Sequence, residues 1–319
     1  MSDRRARAPM DPEMRAFLDA TTDNATQVLD PLETPLPEMR RAIEAGRIGY
    51  AAGGAVMREA VDRPLEGSGR FILTRFNMPE ADGPLPALVL LHGGGWTWNT
   101  IYTGDRTARE YAARAGAAVI APDYSLSPEY KFPQALNECV AVLRAVRARA
   151  AEWGIDPDRI AVGGDSAGGN LALAAALVLR DEGENWLRGA LLNYGVFDSD
   201  FTRESYRLYG GGDLYLSTRL MRFFWGNYVR TPDQMTHPLA APLCADLTGL
   251  PPLRIVAAEL DVLADENHAL AERARNAGVD TEYALYEGVT HGFLRAAASV
   301  AKAERCLADG ALWLTRIFA

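Results

Sequence analysis

Residues 159–180 read RIAVGGDSAGGNLALAAALVLR. An apolar run, Ile160 to Val162, leads into Gly163, Gly164, Asp165, Ser166, Ala167, Gly168 and Gly169, and a helix-period stretch follows. Gly164-x-Ser166-x-Gly168 therefore stands between an expected strand and an expected helix, the context of a nucleophile elbow. The sharp turn holds its serine in an unfavourable backbone region, so neighbours without bulky side chains are needed on both sides. The simpler reading is a helix-capping serine after a glycine-rich turn. A phosphate loop does not fit, because no lysine follows the glycines.

Working outward, short apolar runs alternate with helix-period segments from about residue 60 onward. RFILTRF, PALVLL, GAAVIAP, RIAVGG, GALLNYG, PLRIVAAE and TEYALYE are strand candidates, and most lack polar alternation. Continuous apolar strands suit a sheet covered on both faces. PQALNECVAVLRAVRARAAEWG and DENHALAERARNAGV read as helices between them. The fold class is therefore α/β, with a mostly parallel, doubly wound central sheet. The connection from Asp198 to Pro252 exceeds a simple crossover, and an insertion folding over the site is expected there. Before residue 60, DPEMRAFLDAT and LPEMRRAIEAG read as short helices with proline near the first turn, separated by LDPLETP.

The chain has 319 residues, is 48% hydrophobic and carries a formal net charge of -9. That balance gives no basic surplus for nucleic acid or anionic lipid. No apolar run approaches the roughly 20 residues of a membrane helix, and the basic start lacks the apolar core of a signal peptide, so a cytoplasmic location is expected. Cys139, Cys244 and Cys306 form neither a disulfide framework nor a metal motif, and Cys139 and Cys306 fall in helical patterns as core residues. Neither a metal nor another cofactor is expected.

A serine hydroxyl needs a base to take its proton, and the chain holds four histidines. His268 lies in an amphipathic helix, and His237 precedes Pro238 in a loop with no strand leading into it. His92 precedes Gly93, Gly94 and Gly95 and reads as an anchor of that loop. His291 follows the strand TEYALYEG, at the carboxyl edge where an α/β sheet offers its crevice, and is the expected base. Asp261, just past the strand PLRIVAAEL, is the group expected to orient it, with Asp265 read as a helix N-cap. In VLLHGGGWTWNT, residues 89–100, Gly94 and Gly95 bring backbone close to a reacting centre. Their N–H groups, with that of Ala167, would stabilise a developing oxyanion, roughly 3 to 4 kcal/mol per donor.

HGGGW, GDSAGGN, DVLADE and HGF together resemble the bacterial hormone-sensitive-lipase family of esterases, the HGGG type of α/β-hydrolase. DYSLSPEYKFPQAL, residues 123–136, resembles that family's Tyr-Arg-Leu-Ala-Pro-Glu segment. The likeness covers about residues 60–318. It implies an α/β-hydrolase fold with a catalytic domain at 61–319, an N-terminal helical cap segment at 1–60 and a cap insertion at about 199–235. It also implies a triad of Ser166, Asp261 and His291, an oxyanion hole of Gly94, Gly95 and Ala167, and it leaves a homodimer open.

The implied activity is hydrolysis of small, short-acyl carboxylic esters through an acyl-enzyme. Acyl transfer or amide hydrolysis by the same triad is the alternative, and a non-catalytic ligand-binding receptor on this fold is a more distant one. Asp165, Trp96, Trp98, Tyr215, Phe224 and Trp225 are candidates for the substrate pocket. Core packing is an equally good account of Phe223, Phe224 and Trp225. Two departures stand out: Ser125 and Ser127 replace the family's arginine and alanine, removing any ion pair made by that arginine, and Asn99 replaces a glycine. Asparagine tolerates left-handed backbone, so the turn can survive.

Overall fold

The computed structural model describes residues 7–22, 29–30 and 32–319. The N-terminal segment expected as part of the cap falls outside the described residues at 1–6, 23–28 and 31. Along the chain run α1 (Pro12–Thr22), α2 (Leu36–Ala51), β1 (Glu59–Gly67), β2 (Arg70–Met78), β3 (Leu85–Leu91), α3 (Asp105–Ala115) and β4 (Ala118–Pro122). Then come α4 (Gln134–Ala148), β5 (Ile155–Asp165), α5 (Ala167–Asp181), β6 (Leu187–Asn193), α6 (Glu204–Tyr209), α7 (Thr218–Tyr228), β7 (Leu253–Leu260), α8 (Ala264–Asn276), β8 (Thr281–Thr290) and α9 (Ala301–Phe318).

Eight strands form one sheet in the order β1-β2-β4-β3-β5-β6-β7-β8. The β1–β2 and β2–β4 pairs are antiparallel, and β4-β3-β5-β6-β7-β8 are parallel. The unbroken apolar runs have a direct cause in side-chain alternation. Along β3, Ala87, Val89 and Leu91 enter one core, with α4 and α5, while Leu88 and Leu90 enter the other, with α3 and α9. Ile160 and Val162 of β5 face the first core and Ala161 the second, so both faces of the central strands are covered. One residue of register slip would exchange the two sets.

Strand β1 is not among the runs that the sequence singles out. Its residues EAVDRPLEG alternate weakly and include Pro64, and only Leu65 is buried. As the outermost strand it pairs on one side, where charge and proline are tolerated. Ser68 and Gly69, both with positive φ, close its hairpin with β2. The sheet thus begins at residue 59.

At Ser125, where the family segment carries arginine, a neighbouring strand brings in a charged side chain. Ser125 donates its hydroxyl to buried Glu138 at 2.7 Å, and the backbone N–H does the same at 2.7 Å. Arg70 of β2 reaches both, lying 3.6 Å from the Glu138 carboxylate and donating to the Ser125 hydroxyl. Arg70 thus places a positive charge beside Ser125 and the buried Glu138 carboxylate. No helix among the described residues is long and apolar enough to cross a membrane.

Candidate active site

Ser166 sits between β5 and α5 with φ 55° and ψ -119°, a conformation that L-residues rarely adopt. The surrounding bonds impose it: Ser166 N–H donates to the Asn193 carbonyl at 2.9 Å, and the Ser166 carbonyl accepts from Asn170 N–H at 3.1 Å. The glycines on either side are steric requirements. A Cβ on Gly164 would run into the Gly168 backbone, and one on Gly168 into the Leu91 carbonyl oxygen. The turn brings the start of α5 against the end of β3.

Asp261 follows β7 and His291 follows β8, so both reach the carboxyl edge of the sheet beside Ser166. His291 Nε2 lies 2.9 Å from Ser166 Oγ, and Nδ1 lies 2.7 Å from Asp261 Oδ2. With the carboxylate accepting, the ring proton stands on Nδ1 and Nε2 is turned to the hydroxyl as acceptor. Asp261 Oδ1 accepts Leu263 N–H at 3.1 Å, which fixes the carboxylate. Ser166, Asp261 and His291 are all buried, at 8%, 2% and 4% exposure. Bulk water therefore screens the chain of bonds weakly.

Asp265 is placed differently from the expected helix N-cap. It lies inside the first turn of α8 and accepts Ser205 N–H at 2.8 Å, tying the start of α6 to the main body. His268 and His237 are exposed, and neither borders the serine's pocket: His268 packs against Tyr283, and His237 accepts Leu239 N–H.

The loop after β3 is held from several directions. The His92 ring stacks on Tyr124 at 4.2 Å, its Nδ1 is 2.8 Å from the Gly93 carbonyl, and its own carbonyl accepts the Tyr124 hydroxyl at 2.6 Å. Gly93 N–H donates to Asp165 at 3.1 Å. Burial pushes the Asp165 carboxyl up, against the opposing pull of His92, the Gly93 N–H, His291 and Arg47. Asn99 takes φ 75° and donates to the Gly93 carbonyl at 2.9 Å, so the turn survives the replacement of glycine. From α2, Arg40 donates to the Thr97 and Ser127 carbonyls at 2.8 and 2.9 Å and pairs with Glu129.

These parts enclose a pocket of about 1010 Å³, its open mouth included. Ser166, His291, Gly94, Gly95 and Asp165 form its floor, while Trp98, Leu216, Leu220, Phe224 and Tyr215 form much of its wall. Two expected wall residues stand elsewhere. Trp96 and Trp225 are fully buried behind the wall, packed edge to face at 5.2 Å, and Trp96 stacks on Tyr228 at 4.0 Å. Trp98 and Phe224 face the cavity, 4.6 Å apart. Neighbouring aromatics of the loop and of α7 thus divide between core and pocket, a choice that composition cannot make.

Sequence reasoning missed Arg47 on α2 and Arg295 in the 3-10 turn Phe293–Ala296, which also line the pocket. Arg295 follows His291 by only four residues, and that closeness in sequence is the signal that could have found it. No comparable signal marks Arg47. Among the described residues, no group of three or more histidine, cysteine or acidic side chains is arranged to hold a metal ion.

An eight-stranded, mostly parallel sheet with a serine elbow after its fifth strand and a histidine after its last defines an α/β-hydrolase. The α/β-hydrolase fold family matches residues 88–295. Over nearly its whole length, 98%, the chain is 34% identical to the carboxylesterase NlhH of Mycobacterium tuberculosis, covering 97% of that protein. It is 35% identical over 75% of its length to an acetyl esterase of Salmonella paratyphi B, covering 75% of that protein. A hyperthermophilic esterase from the archaeon Pyrobaculum calidifontis superposes with a TM-score of 0.92 at 30% identity, over 98% of this chain and 100% of that one. The chain belongs to the α/β-hydrolase family, in its branch of bacterial hormone-sensitive-lipase esterases.

Proposed function

We propose that this carboxylesterase-family enzyme hydrolyses small, short-acyl esters through an acyl-enzyme on Ser166. The observation that carries the reading is the unbroken chain Ser166 Oγ, His291, Asp261, with links of 2.9 and 2.7 Å, at the floor of an open pocket. Ser166 Oγ attacks the ester carbonyl as His291 Nε2 takes its proton, and Asp261 stabilises the imidazolium that forms. The carbonyl oxygen becomes negative and is met by the N–H groups of Gly94, Gly95 and Ala167. The N–H of Ala167 lies in the first turn of α5, where a helix leaves its donors without helical acceptors. His291 then hands the proton to the leaving alkoxide. Water, deprotonated by the same nitrogen, attacks the acyl-enzyme and frees the acid.

The cap supports small substrates. Phe224 and Trp98 bound the same pocket as the serine, which favours acetyl to butyryl groups over long chains. His92, through its stack on Tyr124, is assigned to holding the loop rather than to proton transfer. Turnover of p-nitrophenyl acetate and butyrate tests the reading. Wild-type protein is expected to hydrolyse both, and Ser166→Ala to lose on the order of 10⁴-fold or more in kcat. No turnover by the wild type, or full activity in Ser166→Ala, would overturn it.

A further inference from the structure

The acyl-enzyme chemistry leaves two charged side chains of the pocket without a task. Arg47 enters the pocket from α2 and Arg295 from the turn after His291. Their guanidinium carbons stand 5.9 and 4.1 Å from the centroid of one ring, that of Tyr215. Arg47 donates to Asn99 Oδ1 at 2.5 Å and to the Tyr215 hydroxyl. Arg295 has its Nε buried with no hydrogen-bond partner among the described residues.

Several buried or half-buried arginines elsewhere are matched by carboxylates, Arg40 by Glu129, Arg75 by Asp62 and Asp105, Arg203 by Asp198, while others such as Arg188 and Arg273 are met by backbone carbonyls. Among the described residues, neither Arg47 nor Arg295 forms such an ion pair. The pocket's own carboxylate is Asp165, which already accepts from Gly93 N–H and which burial pushes toward the neutral acid. Asp261 is engaged by His291 and Leu263. Two cations that repel each other are therefore held on one wall with a single, occupied carboxylate to offset them. The field also acts on Tyr215, which stands at the pocket mouth: against the desolvation of its surroundings, Arg47 and Arg295 hold its phenol below its ordinary range. A cationic pair that lacks an anion in a cavity is unfavourable unless a ligand supplies one. The planar guanidinium fork matches a carboxylate in shape and charge.

We propose that Arg47 and Arg295 form an anion subsite, and that the preferred substrates carry a free carboxylate beside the ester that is cleaved. The proposal rests on the ester-hydrolase reading above and specifies the substrate class of that same pocket. The carboxylate has two chemical sources. It belongs either to the acyl part, as in the half-ester of a dicarboxylic acid, or to the alcohol part, as in an acylated hydroxy acid.

The test compares matched pairs: monoethyl succinate with diethyl succinate for the acyl source, and 2-acetoxypropionate with isopropyl acetate for the alcohol source. In the wild type, at least one acid is expected to exceed its neutral partner by about 10-fold or more in kcat/KM, mainly through KM. The acid-to-neutral ratio is expected to fall by about 10-fold in Arg47→Gln and Arg295→Gln and less in Arg295→Lys, which keeps the charge without the fork. Taking the ratio removes any general loosening of the cap, which would affect both members of a pair. If the glutamine variants do not fold, wild-type KM against salt decides: the acid's KM rises with ionic strength while that of its neutral partner stays flat. The subsite is overturned if neither acid outperforms its neutral partner, if the ratio is unchanged in folded glutamine variants, or if the acid's KM ignores salt. Failure of the ester reading looks different, because the neutral esters and p-nitrophenyl acetate would then also be left intact.

Discussion

Gly95 and Phe224 are in contact: the Phe224 ring of α7 occupies the volume that a Cβ on Gly95 would fill. The loop after β3 and helix α7 are thus fitted together through the absence of one side chain. Gly95 also has φ 58°, where an alanine is strained. Gly95→Ala is expected to reduce kcat/KM for p-nitrophenyl butyrate by about 10-fold or more, the scale set by a single misplaced oxyanion donor. Phe224→Ala makes room for the methyl group, so the double variant is expected to recover part of that loss. Strictly additive losses would mean that the ring and the loop act separately.

The Asp261 carboxylate holds the proton on Nδ1 of His291. Asp261→Asn keeps the shape but allows the amide to donate, which selects the wrong tautomer. Its kcat is expected to fall by roughly 10⁴, with the thermal midpoint much less affected. Steady-state kinetics and a melting curve check this, and a variant within a few-fold of wild type would assign the orienting role elsewhere.

Arg70 stands against the wholly buried Glu138 carboxylate, 3.6 Å away, and against Ser125. The Arg70 side chain is itself 37% exposed, so water moderates the pair. Replacing it by methionine leaves the buried carboxylate with Ser125 and Gln134 as its remaining partners. Arg70→Met is expected to destabilise the fold by roughly 1 to 3 kcal/mol, and Glu138→Gln in the Arg70→Met background to restore part of it. Urea denaturation gives both values, and additive losses would refute the coupling.

Glu266 is fully buried on α8, where burial pushes its carboxyl well above the ordinary value of 4.5. The folded state then binds a proton at pH values where the unfolded chain has released it. Stability from this group is present below the unfolded pKa and is lost as pH rises through the folded one. Glu266→Gln removes the titration while leaving an oxygen for the N–H groups of Phe197 and Asp198. It is expected to match the wild type in denaturant midpoint near pH 4 and to exceed it increasingly toward pH 8. A difference independent of pH would contradict this account.

The serine elbow, the histidine after β8 and the aspartate after β7 are legible because short local patterns dictate where backbone must turn. Gly164 and Gly168 leave few other conformations for Ser166, and the strands that carry Asp261 and His291 announce themselves by unbroken apolar runs. Other features depend on what lies across the fold. β1 hides behind Pro64 and its charges because an edge strand needs little burial. Trp96 and Trp98 are close together in one loop, so only packing shows that the first enters the core and the second the pocket. Arg47 reads as an ordinary helix arginine until the fold brings it to Tyr215 and Arg295. Arg70 likewise answers Glu138 from a strand that no local pattern links to it.

His291 follows the last residue of β8, a strand paired on one side only, whereas Ser166 follows β5 in the interior of the sheet. Edges fray before interiors, and opening is local before it is global. In mild denaturant, catalysis is therefore expected to disappear at a lower concentration than the change in intrinsic tryptophan fluorescence, to which the fully buried Trp96 and Trp225 contribute. On refolding, activity returns last. On the proposed mechanism, the rate of ester cleavage would gauge whether the border of the sheet has closed, and a short-lived loosening of that border would silence the enzyme without dismantling it.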